Sequence, residues 1–197
     1  AQILSNPLPP KIRKIGSPGI AYGNEIMVGD DDQNPVAANV EGEILVRGSN
    51  VMQGYLDRPE ETAKTITANG WLRTGDLGRM DEDGFVFVTG RIKELIIKGG
   101  ENIAPREVDE ALLEHDAVLE AAAFARPCKD YGQRVEACVR LKEGREISED
   151  DLREFCKNLI GAYKTPDHIH FLDDLPKGPS GKVQRMKLID LVPASSH

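Results

Sequence analysis

The sequence predicts an α+β protein: a small β-rich subdomain, then a compact α+β lobe in the order β-α-β-β-α-β-α. Three observations carry this. Up to Gly90 the apolar residues fall in short runs closed off by glycine, proline and Asp/Asn turns, a pattern of strands rather than helices. From Ala104 the period changes, and Val108, Ala111, Leu112 and His115 share one helical face. Beyond them, two apolar runs, a second helix-spaced run and a last short run follow one another to Leu172, which mixes strands and helices in one lobe.

Residues 5–23 (SNPLPPKIRKIGSPGIAYG) carry four prolines and three glycines, which interrupt the backbone too often for a long helix and leave a loop. Residues 25–28 and the run GEILVRG at 42–48 read as strands on either side of an acidic turn at 30–34. Pro59 suits the first turn of a short helix, with Asp57 or Arg58 ahead of it. The stretch GWLRTGDLG at 70–78 sets the single tryptophan beside glycines and an aspartate. Residues 81–84 form a polar turn, and 85–89 is expected to pair with 94–97 as a hairpin around Gly90-Arg91-Ile92-Lys93.

In the second half, residues 118–125 and 135–141 read as strands separated by the stretch 126–132. Ser148 is placed to cap a helix bearing Leu152, Phe155, Cys156, Leu159 and Ile160 at core spacing, with Gly161 at its end. Residues 168–172 form a third strand, and 182–191 a final short helix. The boundary between subdomain and lobe is drawn at Ile92–Lys93, giving domains 1–92 and 93–197.

Composition limits the functions available. The formal net charge is −8, so a broad nucleic-acid footprint is excluded and any anionic ligand must be met by a few placed cations. Three cysteines without a CxxC pair argue against a disulfide framework and a zinc knuckle, and a reducing, cytoplasmic setting is expected. No stretch approaches the roughly 18 consecutive apolar residues of a membrane span, so no membrane partner is expected. The chain opens on Ala1-Gln2-Ile3-Leu4 without a methionine, and a piece of a longer protein is expected.

Four constellations can carry chemistry. PKGPSGKVQR at 176–185 makes a tight glycine-proline turn from which Lys182 projects beside Arg185 and Lys187. It departs from a Walker loop, since Val183 follows the lysine where Ser or Thr is needed. It is either a solvated basic turn or a flexible ammonium that neutralises a reacting anion. Asp76, in Thr74-Gly75-Asp76, either caps a turn or accepts hydrogen bonds from a sugar diol. Arg91 and Lys93 flank Ile92 at strand spacing and so point to one side, to hold an anion or to form surface ion pairs. Gly99-Gly100 is a tight turn or a place where a ligand approaches backbone closely. The histidines give no metal set: His115 reads as packing, and His168 and His170 have no partner at ligand spacing. No metal site is assigned.

The succession GEILVRGSNVMQGYLDRPEET, WLRTGDLG, GRIKELIIKGGENIAPREVDEAL and LPKGPSGKVQR strongly resembles the carboxyl-terminal part of the adenylate-forming acyl-CoA synthetases. SNPLPP near the start is similar to the oxalate and small-acid CoA ligases. The resemblance implies that the first domain is the end of a large AMP-binding lobe and the second a mobile lobe. It implies that Asp76 binds the ribose hydroxyls of ATP or of the acyl-adenylate, that Arg91 contacts the ribose and phosphate side, and that Lys93 is the hinge. It further implies that Lys182 stabilises charge during adenylation, and that after rotation the face of Gly99, Gly100 and Glu101 closes a pantetheine channel for CoA. ATP and CoA are the implied co-substrates, with Mg²⁺ in the full-length enzyme. The implied partners are a small carboxylic acid and an upstream N-terminal domain of the same protein, which would hold the phosphate loop. Two rivals remain at this stage: an adenylation enzyme loading a carrier-protein phosphopantetheine, and a non-catalytic binding fragment.

Overall fold

A computed structural model describes residues 3–193; Ala1 and Gln2, on which the expectation of a longer protein partly rests, and residues 194–197 lie outside it. The chain divides into two units, Ala1–Lys93 and Glu94–His197. The division follows Lys93, one residue beyond the expected line.

In the first unit, β1 (Leu4–Ser5) and β2 (Ile20–Ala21) pair across the proline-rich loop. Four longer strands, β3 (Glu25–Gly29), β4 (Gly42–Arg47), β5 (Leu72–Met80) and β6 (Val86–Arg91), form an antiparallel sheet in chain order. Ile44, Val46 and Val86 make the core of one face, and Leu45 between them is fully buried as well. A strand buried on both faces needs no polar alternation, which is why GEILV alternates so loosely. Helix α1 (Pro59–Thr65) starts at Pro59 after Arg58, as its sequence requires.

The second unit contains β7 (Ile96–Lys98), β8 (Glu101–Ile103), α2 (Pro105–Leu113), β9 (Val118–Cys128), β10 (Gly132–Leu141), α3 (Glu149–Lys164), β11 (His168–Phe171) and α4 (Leu188–Leu191). Strand β10 is central: β9 runs antiparallel along one edge, β11 runs parallel on the other, and β7 meets it where Gly132 faces Lys98. Alternation along β10 sorts its side chains between two cores. Val135, Ala137 and Val139 pack with Val108, Leu112, Leu152 and Cys156 of α2 and α3. Cys138 instead joins Ala122, Phe124, Leu175, Leu188 and Val192 on the opposite face. The Ser148 hydroxyl accepts the Asp151 N–H at 3.1 Å and caps α3. Gly161 leaves helical geometry (φ 79°, ψ 160°) where the helix was expected to end, and a further turn continues to Lys164. Among the described residues no helix is long and apolar enough to cross a membrane.

The α+β class holds, and three local expectations need correction. Strand β6 pairs with β5, not with residues 94–97; Ile92–Glu94 coils into a 3-10 turn, which breaks the extended run that such a hairpin needs. The Gly-Gly pair makes the hairpin instead, joining β7 to β8 and adding a strand before α2. Gly99 and Gly100 both have positive φ, 57° and 89°, the two-residue geometry whose twist matches antiparallel strands. Most of 126–132 belongs to the β9–β10 hairpin, with Pro127 within β9 opposite Gln133 and Gly132 opposite Cys128. Residues 182–191 form a 3-10 turn, Arg185–Lys187, and a single helical turn, α4. Gly100→Ala is expected to destabilise the chain by about 1 kcal/mol, since a Cβ at this φ is strained whatever the space around it. A lower urea midpoint at unchanged slope is the expected readout.

Candidate functional site

Asp76 stands on β5 where the strand is irregular. Gly75 has φ 72°, and the β4–β5 register shifts between Glu43 and Leu45, so the Thr74-Gly75-Asp76 backbone bulges out of the ladder. Two side chains hold the bulge. The buried Glu43 carboxylate accepts the Gly75 N–H at 3.0 Å and the Arg73 Nε–H at 2.9 Å. The Thr74 hydroxyl donates to the Ile44 carbonyl at 2.7 Å and accepts the Asp76 N–H at 3.0 Å. Asp76 is thus no turn cap. One of its oxygens lies 2.9 Å from Arg91 Nε, directly across the ladder on β6, and the other takes no hydrogen bond from the described residues. A partly exposed carboxylate with one oxygen open beside a cation can accept hydrogen bonds from a vicinal diol next to a phosphate.

Sequence reasoning overlooked Glu43 and gave Thr74 no role of its own. A charged residue opening the otherwise apolar run EILV was the available signal, but its partner across the sheet is thirty residues away in sequence and only the register brings them together.

Arg91 and Lys93 are not at strand spacing. Arg91 ends β6 and its guanidinium is committed to Asp76, while Lys93 lies in the 3-10 turn with an exposed side chain that makes no ion pair among the described residues. The two do not converge on one anion.

In the second unit, Gly99, Gly100 and Glu101 occupy the exposed tip of the β7–β8 hairpin. The tip is braced from below. Lys98 is buried between the rings of Tyr131 and Tyr163, 5.9 and 5.5 Å from their centroids, and pairs with Asp167 at 3.2 Å. The Gly99 N–H donates to the Tyr131 carbonyl at 2.9 Å, and the Tyr163 hydroxyl donates to the Lys98 carbonyl. Burial, and then the charge of Glu101, push the Tyr163 phenol up, so it stays a donor.

Lys182 sits in a small hairpin. The Gly178 N–H donates to the Lys182 carbonyl at 2.8 Å, the Gly181 N–H to the Gly178 carbonyl at 2.9 Å, and the Gln184 N–H to the Pro176 carbonyl at 2.7 Å. The Lys182 side chain is exposed and makes no ion pair among the described residues. Arg185, three residues on, is largely buried and paired with Glu94 and Asp109, so the stretch is not a uniformly solvated basic turn.

The remaining candidates resolve simply. His115 packs edge-on against Phe155 at 4.8 Å. His170 Nε2 lies 2.9 Å from the buried Glu136 carboxylate and His168 Nδ1 lies 3.3 Å from Glu149. Both histidines therefore have carboxylate partners that their spacing in the sequence did not reveal. Among the described residues no three His, Cys, Asp or Glu side chains are placed to hold a metal ion. Burial pushes the Cys138 thiol up to about 12 and the Cys156 thiol to about 11, leaving both unreactive.

The first unit thus presents an open carboxylate beside an arginine, and the second a glycine hairpin and a lysine that makes no ion pair among the described residues. The chain is a member of the AMP-binding enzymes: that family matches residues 2–56, and the AMP-binding enzyme C-terminal domain matches residues 107–182. It is 50% identical over 190 residues to a sulfoacetate–CoA ligase of Cupriavidus necator, covering 96% of this chain and 37% of that protein. It is 40% identical over 196 residues to an oxalate–CoA ligase of Saccharomyces cerevisiae, covering 99% of this chain and 36% of that one. An o-succinylbenzoate CoA synthetase of Bacillus subtilis, solved with its acyl-adenylate intermediate, superposes with a TM-score of 0.81 at 39% identity over 89% of this chain and 36% of that one. The chain therefore spans little more than a third of the length of these relatives.

Proposed function

We propose that this chain is the carboxyl-terminal part of an ATP- and CoA-dependent ligase of small carboxylic acids. Lys182 is the observation that carries the reading. It is an exposed, unpaired ammonium on a glycine hairpin, inside the stretch that matches the AMP-binding enzyme C-terminal domain.

In the proposed first step a carboxylate oxygen attacks the α-phosphorus of ATP; the new O–P bond forms as the bond to pyrophosphate breaks. Lys182 supplies positive charge where negative charge accumulates. The Asp76 carboxylate accepts from the ribose hydroxyls, with its pair Arg91 toward the phosphate side. In the second step CoA thiolate attacks the acyl carbon and AMP leaves. Rotation about Lys93 exchanges the Lys182 hairpin for the face of Gly99, Gly100 and Glu101, so one bound intermediate meets two differently equipped surfaces. Mg²⁺ completes the proposed set as counter-ion of the ATP phosphates. Relatives named as CoA ligases support CoA over a carrier protein, and the small acids in their names, sulfoacetate and oxalate, support a small acid here.

A pyrophosphate-release screen of the full-length protein tests the reading, with sulfoacetate, oxalate, malonate, succinylbenzoate and short fatty acids offered in turn. At least one acid is expected to drive release and yield its CoA thioester; release with none of them would count against it. In the same assay Asp76→Ala is expected to lower adenylation efficiency by roughly 100-fold, through lost charged hydrogen bonds to the ribose. Trp71 emission should be unchanged, because Glu43 and Thr74 still hold the bulge. Unaltered kinetics with ATP would remove Asp76 from the nucleotide site.

A further inference from the structure

Arg185 follows Lys182 by three residues and is the most heavily engaged cation near it. Its Nη2 lies 2.8 Å from Asp109 Oδ2 and its Nη1 3.3 Å from Asp109 Oδ1, a two-pronged contact to helix α2. Nη1 also donates to the Ala123 carbonyl of β9, and Nε lies 3.2 Å from Glu94. Asp109 in turn accepts the Ala123 N–H at 2.6 Å. One guanidinium thereby ties the base of the Lys182 hairpin to α2, to β9 and to Glu94, the first residue of the second unit and the neighbour of Lys93.

The clamp is not needed merely to dock the carboxyl-terminal segment. Leu175 ahead of the hairpin and Leu188 behind it are already in the core with Phe124 and Cys138, and that burial holds the segment down. Compared with well-packed apolar residues in its place, a largely desolvated ion pair adds little net stability; what it adds is geometry, because a planar fork accepts only one arrangement of its acceptors. The hairpin itself is closed by three backbone hydrogen bonds and would tilt about its base without a rigid anchor.

We propose that Arg185 is a positioning residue for Lys182: by clamping Asp109, the Ala123 carbonyl and Glu94, it makes the lysine hairpin one rigid body with the residue that leaves the pivot. Rotation at Lys93 then delivers the ammonium to a fixed place instead of to a range of places. The inference rests on the adenylation role given above to Lys182.

The test uses the full-length enzyme and two half-reactions: acid-dependent exchange of pyrophosphate with ATP, and thioester formation from CoA and synthetic acyl-adenylate. Arg185→Met is expected to lower the exchange kcat by roughly 10- to 100-fold, the usual cost of misplacing a reacting group by about 1 Å, with the KM for ATP within about twofold of wild type. Thioester formation should stay within about twofold. Arg185→Lys keeps the charge, loses the fork and should fall between. An equal fall in both half-reactions, tracking loss of folded protein, would make the role structural and overturn the proposal, as would no fall in either. Should the methionine variant not fold, the lysine variant decides by the same criterion. Lys182→Ala run in parallel separates the two levels: if it does not selectively lose exchange, the adenylation role itself fails, whereas selective loss with an unaffected Arg185 variant defeats the positioning role alone.

Discussion

Replacing Lys182 with alanine in the full-length enzyme is expected to cut acid-dependent exchange of pyrophosphate with ATP by at least about 100-fold, the scale on which removal of one preorganised electrostatic donor acts. Thioester formation from supplied acyl-adenylate should remain near wild type. The asymmetry follows from the chemistry. In the proposed mechanism, adenylation builds charge on the α-phosphate and the departing pyrophosphate, where an ammonium helps, and thiolate attack on the acyl carbon takes place with the hairpin withdrawn. Nothing in the fold should suffer, because the side chain is exposed and makes no ion pair among the described residues. A variant that loses both half-reactions equally would show that Lys182 has no step of its own.

The largest stability effect is expected at Glu136. Its carboxylate is fully buried, 2.7 Å from Arg126 Nε and 2.9 Å from Arg134, and those two arginines face each other across the β9–β10 ladder. Removing the carboxylate leaves two buried guanidinium groups opposed across the ladder without the charge they share. Glu136→Ala should therefore cost about 3–5 kcal/mol. The loss can be located as well as measured: helices α2 and α3 belong to the second unit and Trp71 to the first, so the far-ultraviolet helical signal should melt early while tryptophan emission should not. Burial pushes the Glu136 carboxyl up, but His170, Arg126 and Arg134 outweigh it and hold it below the usual range. With the folded value below the unfolded one, the contribution is complete above the ordinary carboxylate range and is lost as pH falls through the folded value. The gap between wild type and Glu136→Gln should accordingly narrow toward acid. A gap that widened would mean that the carboxylate is not the charged partner of these arginines.

Much of this architecture was legible from residues alone. Local signals worked where the deciding contact is local: Pro59 opening α1, Ser148 capping α3, and the change of period at α2 all sit within a few residues of what they control. They failed where a partner lies far along the chain. Residues 85–89 and 94–97 look like two arms of a hairpin, yet β6 is taken by β5 and β7 by β8 and β10, a choice made by the sheets as wholes. The candidate site divides in the same way. Asp76, Lys182 and the Gly99-Gly100 turn stand out by composition. Glu43, which holds the Asp76 bulge, and Arg185, which is a buried clamp, depend on partners 32 and 76 residues away, which no local pattern identifies.

The central claim, that a carboxylate is activated on the α-phosphate of ATP, is tested most directly by isotope transfer. The full-length enzyme, given ATP, CoA and an acid labelled with oxygen-18 in both carboxylate oxygens, should yield AMP carrying one labelled oxygen for every thioester formed, with pyrophosphate unlabelled. Label appearing in inorganic phosphate with ADP as co-product, or thioester formed with unlabelled AMP, would contradict it.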